Sequence, residues 1–225
     1  MTVKIGLVHI PKTGGNTLRA LFEQFIDRSH SHPLIPYWNP EVPADAQLLY
    51  GHAPFDVYPT GYDLYTALRH PVDRIISYYE MAKRSTPQGW THYEVFNEGG
   101  KIMTLADFAA NRIKMPHHID NGMTRQLAGK SAYLNGNPIT KADLEKAKAN
   151  LLRTTFGLTE RLDELIRMIA GRYGWQVTCY ENANVAPSYQ QQYTAADRQA
   201  VMERQPYDMA LYAWAVEEYE RRQAA

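Results

Sequence analysis

A lysine and two glycines lie between two apolar segments in the stretch HIPKTGGNTL, residues 9–18. The pattern before them predicts a buried strand over residues 3–9, and the apolar spacing after them predicts a helix over residues 17–28. A loop that enters a helix presents unpaired backbone N–H groups at the positive end of the helix dipole, where anions bind. Gly14 and Gly15 allow the backbone to approach a phosphate closely, and Lys12 adds a full charge. The loop therefore predicts an anion site.

Further polar groups of this loop suit the same purpose. Thr13 adds a hydroxyl, and Asn16 is expected to cap the helix. Short glycine motifs also occur in plain turns between a strand and a helix, with the lysine in solvent. The loop alone leaves both interpretations open.

A second stretch, LYTALRHPVDRIISYY at residues 64–79, places a guanidinium where another predicted strand ends. Arg69 is the last residue of that strand, and Ser77 lies on the second turn of the helix that follows. Arg74 and Ser77 are three residues apart and are expected to share the face opposite the apolar stripe. Such groups at the carboxyl end of a strand suit a second phosphate. The alternative is an arginine at the start of a helix that pairs locally with Asp73.

Together the two stretches resemble the sulfotransferase superfamily, whose enzymes use 3′-phosphoadenosine 5′-phosphosulfate as the sulfuryl donor. HIPKTGGNTL is similar to the family's 5′-phosphosulfate loop, and LRHPVDRIISYY is similar to its 3′-phosphate element. The nearer resemblance is to the carbohydrate branch that includes the heparan and uronyl 2-O-sulfotransferases. A weaker resemblance continues, in the family's order, through YGHAPF, DNGMTRQLAG, FGLTERLDELIRMI and YDMALYAWA.

The resemblance implies a P-loop-like sulfotransferase fold, which is α/β with a central, mainly parallel sheet flanked by helices. It implies that the co-substrate is 3′-phosphoadenosine 5′-phosphosulfate, that the product is adenosine 3′,5′-bisphosphate and that no metal is needed. By the same resemblance, the residues expected to bind the donor are Lys12, Thr13, Gly14, Gly15, Asn16, Thr17, Arg69 and Ser77. Lys12 would also stabilise the charge on the leaving phosphate, so it is counted as catalytic.

An alcohol acceptor also needs a base, and His52 is the first candidate. It follows a short predicted strand and matches the histidine that serves as base in the 2-O-sulfotransferase branch. An imidazole suits proton abstraction near neutral pH. A histidine held structurally at a turn is the alternative, and His117 and His118 are rival bases or acceptor contacts. His9 lies within the first strand and is expected to be structural.

The acceptor is expected to be a hydroxyl-bearing carbohydrate or small molecule. Residues 29–46 and 84–120 are expected to form its pocket, and Asn121 and Arg125 are expected to help shape the acceptor or donor pocket. The residue types alone do not identify the acceptor, the position that is sulfated or the oligomeric state.

The elements that must position these residues alternate along the chain. Further strands are predicted over residues 47–50, 63–69, 154–158 and 175–180, and loops over 29–46 and 86–100. Helices are predicted from residues 71 and 160 and over residues 104–112, 121–128, 140–152, 194–204 and 207–222. This alternation indicates an α/β protein with a largely parallel sheet, in one domain over residues 1–225.

Composition sets limits on the partners. The 225 residues contain 24 Lys+Arg and 24 Asp+Glu, so no net charge favours nucleic acid. Cys179 is the only cysteine, which excludes an intramolecular disulfide and a thiolate metal cluster. The short, interrupted apolar run at the N-terminus does not have the length of a signal peptide or membrane anchor. We expect a cytoplasmic protein without an integral membrane segment, or the soluble part of an anchored one.

Two other functions compete with sulfuryl transfer. The spacing Gly6-x-x-x-x-Pro11-Lys12-Thr13 nearly matches the phosphate loop of P-loop nucleotide kinases and NTPases. However, Gly6 falls inside a predicted strand, and the glycines that could surround phosphates follow Lys12. The third interpretation is an inert nucleotide-binding or scaffold domain. The presence of all the candidate site residues in one chain argues against it.

Overall fold

Five parallel strands form one sheet in the computed structural model of the chain, which describes residues 3–35, 39–84, 97–98, 101–110, 116–177 and 192–224. In chain order the strands are β1 (Ile5–Val8), β2 (Ser31–Pro33), β3 (Leu48–Gly51), β4 (Asp63–Leu68), β5 (Asn97–Glu98), β6 (Lys101–Ile102) and β7 (Thr155–Leu158). The short strands β5 and β6 pair with each other in antiparallel fashion. The parallel sheet has the order β2-β3-β1-β4-β7, so β1 lies between β3 and β4.

Helices cover both faces of this sheet. In chain order they are α1 (Gly15–Phe22), α2 (Pro71–Lys83), α3 (Leu105–Ala110), α4 (Pro116–Ile119), α5 (Gly122–Ala128), α6 (Lys130–Leu134), α7 (Lys141–Leu151), α8 (Leu162–Tyr173), α9 (Ala195–Glu203) and α10 (Pro206–Gln223). Short 3₁₀ helices span Arg28–His30, Phe55–Val57 and Thr159–Arg161. The predicted α/β class, with a mainly parallel sheet flanked by helices, is confirmed.

Alternation along the strands divides the core into two layers. Leu7 of β1 packs with α1 and α8 on one face, whereas Val8 packs with α5, α7 and α10 on the other. A third apolar cluster joins α2, α3 and α9. The two faces of the sheet are thus closed by helices, while its carboxyl edge carries the loops that follow the strands.

Local signals account for most of the helix starts. Pro71 and Pro206 occupy the first turn of α2 and α10, where a missing N–H has no cost. Thr140 caps α7 through a capping box with Asp143, and α9 begins in the same way at Thr194. These starts lie within one or two residues of the predicted ones.

Other boundaries differ from the predictions. The helix predicted over residues 17–28 ends at Phe22, because the N–H groups of Gln24 and Phe25 turn back to carbonyls only three residues earlier. Residues 29–46, predicted to be irregular, include β2, which adds a strand to the edge of the sheet. No strand is found at residues 175–177, and the rest of that predicted strand lies outside the described residues. Within the predicted loop over residues 86–100, the structure describes only Asn97–Glu98, and these two residues form strand β5.

Candidate active site

Loops that follow four neighbouring strands meet at the carboxyl edge of the sheet. Lys12 lies in the loop after β1, His52 directly follows β3, Arg69 directly follows β4 and Thr159 directly follows β7. In open parallel sheets, ligands bind at this edge where the strand order reverses, and β1 with its neighbours on either side forms that point here. The fold therefore brings Lys12, His52 and Arg69 to one edge.

The loop after β1 adopts a conformation that turns its backbone toward a ligand. Lys12 and Gly14 have positive φ angles of 70° and 92°, which is unusual for lysine and ordinary for glycine. Gly14 occupies the N-cap position of α1, and its carbonyl accepts from the N–H groups of Thr17 and Leu18. The N–H groups of the residues just before Thr17 therefore precede the hydrogen-bond ladder of the helix and remain suited to an anion.

Asn16 does not cap α1, which corrects the sequence-based expectation. The left-handed conformation of Gly14 makes the glycine the N-cap, so Asn16 lies inside the first turn with its side chain exposed. The hydroxyl of Thr13 donates to the carbonyl of Ile10 at 2.9 Å and is buried. The Thr17 hydroxyl is also buried, and no hydrogen-bond partner for it exists among the described residues. A phosphate oxygen at the start of α1 would supply one.

Position 15 requires a glycine because the side chain of His9 packs against it. A Cβ at this position would lie 2.0 Å from Cδ2 of His9, so the imidazole occupies the space that a side chain would take. The His9 N–H donates to the carbonyl of Gly51 at 3.2 Å, which ties the end of β1 to the end of β3. The loop glycine and the first histidine therefore fit together as one packed unit.

Positive charge is concentrated around Lys12. Burial lowers the pKa of the Lys12 ammonium, and the charges of Arg69 and Arg84 lower it further. Its Nζ lies 3.8 Å from the sulfur of Met81. Met81 lies on α2 and Arg84 is the residue that caps its C-terminus, so the end of this helix lies near the lysine. Ser77 is one turn before Met81 on the same face of α2. An anion bound among these groups would relieve their mutual repulsion.

Arg69 links the two predicted phosphate elements directly. Its Nη1 donates to the carbonyl of Lys12 at 3.3 Å, and the side chain is largely buried. Ser77 is buried on α2. The sequence predicted that Arg74 and Ser77 share an outward face of the helix, and this prediction is wrong for Arg74. It is fully buried, donates to the carbonyl of His118 at 2.9 Å and pairs with Asp208 at 3.2 Å.

Four imidazoles lie in succession beside the Lys12 loop. The ring of His52 is 4.7 Å from that of His9 and 5.6 Å from that of His118, which is 4.3 Å from that of His117. The base candidate and its two predicted rivals thus lie in one cluster. Burial lowers the pKa of His9 to about 3, so this imidazole is neutral at physiological pH.

Gln126 holds the backbone on both sides of this cluster and was not found by the sequence analysis. Its Nε2 donates to the carbonyl of His9 at 3.1 Å and to that of Ala53, the residue after His52, at 3.0 Å. The residue is fully buried on α5. Only the packing of α5 below the sheet edge gives this glutamine its partners, so no local sequence signal identifies it.

Asn121 and Arg125 lie beside the histidine cluster with their hydrogen-bonding groups turned inward. The Asn121 side-chain oxygen accepts from the N–H groups of Tyr207 and Asp208 at the start of α10. Arg125 is fully buried, pairs with Asp120 and donates to the carbonyl of Ala132 at 2.8 Å. These contacts assign both side chains to the framework of the site rather than to its surface.

Comparisons with known proteins find similarity among solved structures. No protein-family model and no curated protein sequence matches the chain. Among solved structures, the chain is similar to the crystal structure of mouse sulfotransferase SULT7A1 complexed with PAP, with a TM-score of 0.48 and 12% sequence identity. The match covers 95% of this chain and 89% of that chain.

Two structural features are absent from the described part of the chain. Within it, no helix has both the length and the apolar character needed to cross a membrane. Its His, Cys, Asp and Glu side chains form no group of three or more that could hold a metal ion.

Proposed function

We propose that this protein is a sulfotransferase that moves the sulfuryl group of 3′-phosphoadenosine 5′-phosphosulfate to a hydroxyl group, with a carbohydrate or another alcohol as acceptor. The observation that carries the proposal is the contact between Arg69 and the Lys12 carbonyl. This contact joins two cationic elements, the start of α1 and the start of α2. They lie side by side because they follow the neighbouring strands β1 and β4. A nucleotide with phosphates at both its 5′ and 3′ ends presents two anions to such a pair.

We propose separate roles for the residues at the start of α1 and at the start of α2. Backbone N–H groups between Thr13 and the start of α1, with the Thr17 side chain, hold the 5′-phosphate. Arg69 and Ser77 hold the 3′-phosphate, which distinguishes the donor from ATP. Lys12 stabilises the charge that grows on the 5′-phosphate as the sulfur–oxygen bond breaks. Most of the catalysis is thus positioning and charge stabilisation, as in phosphoryl transfer.

His52 is proposed as the base. The acceptor oxygen forms a bond to sulfur while the bond between sulfur and the phosphate oxygen breaks, and the acceptor proton passes to a ring nitrogen of His52. The product nucleotide is adenosine 3′,5′-bisphosphate. His9 favours this step because its lowered pKa keeps it neutral, so the imidazolium formed on His52 does not face a second charged imidazole.

A P-loop kinase or NTPase is the competing function, and Gly6 argues against it. In that motif the first glycine belongs to the phosphate loop, whereas Gly6 lies inside β1. A Cβ at Gly6 would lie 2.5 Å from Cδ2 of Leu64 and 3.0 Å from Cδ1 of Tyr58, so this glycine serves the packing of the sheet. Both glycines that could surround a phosphate follow Lys12.

Binding calorimetry separates the two functions. We expect adenosine 3′,5′-bisphosphate to bind more tightly than ATP with Mg²⁺, because only the former has a phosphate for Arg69. Arg69→Ala should weaken binding of the bisphosphate by about ten- to a hundredfold, the loss typical of a charge-assisted hydrogen bond. Arg172→Ala is the matched control, since this exposed arginine pairs with Asp63 at the opposite end of β4. Tighter binding of ATP would contradict the proposal.

Turnover tests the catalytic residues. The measured quantity is release of adenosine 3′,5′-bisphosphate from the donor with a panel of saccharides and simple alcohols, with the sulfated product identified by mass spectrometry. Lys12→Ala should lower kcat by about a hundredfold or more, and His52→Ala by a similar factor. Lys4→Ala, at the other end of β1, and His30→Gln are the controls. Full activity of His52→Ala would move the role of base to His117 or His118.

A further inference from the structure

Thr159 lies between the two predicted phosphate elements without belonging to either. It directly follows β7, whose last residue, Leu158, is paired with Leu68 of β4. The Thr159 hydroxyl lies 2.8 Å from the carbonyl oxygen of Thr13 and 3.0 Å from that of Leu68. Thr13 adjoins Lys12, and Leu68 immediately precedes Arg69. One hydroxyl proton is thus shared by the backbone of both elements.

The residues after Thr159 extend this contact. Glu160 accepts from the N–H of His70, the residue after Arg69, at 3.3 Å. A Cβ at Gly14 would lie 3.1 Å from Cδ2 of Leu162, so the loop turns tightly over the start of α8. The junction between β7 and α8 therefore supports the Lys12 loop on one side and the start of α2 on the other.

We propose that Thr159 is a positioning residue that sets the separation between the 5′-phosphate and 3′-phosphate sites. This inference rests on the proposed function, because it concerns how one nucleotide reaches both sites. A ligand that binds two linked sites gains affinity only when their spacing matches its own. Without the hydroxyl, the Lys12 loop and the start of α2 keep their own groups but lose their common support.

Three nucleotides distinguish an effect on the spacing of the two phosphate sites from an effect on the affinity of either site alone. Adenosine 3′,5′-bisphosphate uses both sites, whereas adenosine 5′-monophosphate and adenosine 3′-monophosphate each use one. Thr159→Val keeps the shape of the side chain and removes the hydrogen bond. By calorimetry, we expect this variant to bind the bisphosphate roughly tenfold more weakly, the effect of one lost hydrogen bond. Affinity for each monophosphate should change by less than about twofold.

Two further variants serve as controls. Thr159→Ser retains the hydroxyl and should restore most of the affinity for the bisphosphate. Thr154→Val removes a buried hydroxyl that donates to the Leu151 carbonyl at 2.8 Å, just before β7 at its opposite end. It should lower the melting temperature without changing the preference for the bisphosphate over the monophosphates. Thr159→Ala gives the same comparison with a smaller side chain if the valine variant does not fold.

The outcomes are distinct. Unchanged bisphosphate affinity in Thr159→Val would overturn the inference and leave the proposed function intact. Equal weakening of all three nucleotides would also overturn it, because a purely structural defect acts on each site alike. A wild-type protein that does not prefer the bisphosphate over both monophosphates would overturn the proposed function together with the inference.

Discussion

Acidification should destabilise this protein through His9. Burial lowers the pKa of its imidazole from 6.5 to about 3. Three neighbours that carry or can acquire positive charge add to the effect: His52, Arg19 and Lys12. The folded chain therefore keeps His9 neutral at a pH where the unfolded chain protonates it.

The size of the effect follows from the two pKa values. Because the folded-state pKa is the lower one for this base, the unfolded state binds more protons, and stability is lost as the pH falls from 6.5 toward 3. One pKa unit corresponds to about 1.4 kcal/mol, so a change from about pH 7 to about pH 5 should cost about 2 kcal/mol of unfolding free energy. Most Asp and Glu side chains titrate near pH 4 and contribute little in this interval.

Urea unfolding at several pH values between about 5 and 7 measures this loss. His9→Gln removes the titrating group, and its unfolding free energy should fall by about 2 kcal/mol less than that of the wild type over the same interval. His30→Gln makes the same substitution at a partly exposed position just before β2 and is the matched control for the loss of an imidazole. Parallel curves for wild type and His9→Gln would refute the assignment of His9 as a buried neutral imidazole.

Three further substitutions give predictions for the stability of the fold, each measured by chemical unfolding. Gly15→Ala would place a Cβ 2.0 Å from the His9 ring and should cost about 1–3 kcal/mol, whereas Gly171→Ala, where an added Cβ meets nothing within 4 Å, should stabilise α8 by about 0.5–1 kcal/mol. Equal effects of the two alanines would show that the fit of Gly15 to the imidazole is not restrictive. Asp208→Ala leaves the charge of Arg74 buried without its partner and should cost about 3–5 kcal/mol. A loss below about 1 kcal/mol would mean that water reaches this pair.

Features that depend on neighbours in the chain could be predicted. The Lys12 loop, the position of Arg69 at the end of a strand and the order of β1, β3, β4, β7 and the longer helices follow from apolar periodicity and from glycine and proline signals. Even for local structure, competing backbone conformations limited how accurately the start of a helix could be predicted. Asn16 is a good capping residue, but the left-handed conformation of Gly14 placed the start of α1 two residues earlier than an Asn16 cap allows.

The tertiary structure alone decided which of these residues meet. The strand order puts β3 and β4 on either side of β1, and for this reason His52 and Arg69 lie beside the same loop. Strand order in a parallel sheet is set by how the helices cross over and pack, which leaves no local signal in the sequence.

The same reason separates two arginines that look alike in the sequence. Arg74 became an interior ion pair because Asp208, 134 residues away, lies against it, while Arg69 remained at the edge of the sheet. Thr159 reads as an ordinary residue after a strand until β7 pairs with β4. The sequence by itself determined the residue types that can hold phosphates and the elements that carry them. The packing of distant elements determined which of those residues face the site and how far apart they are held.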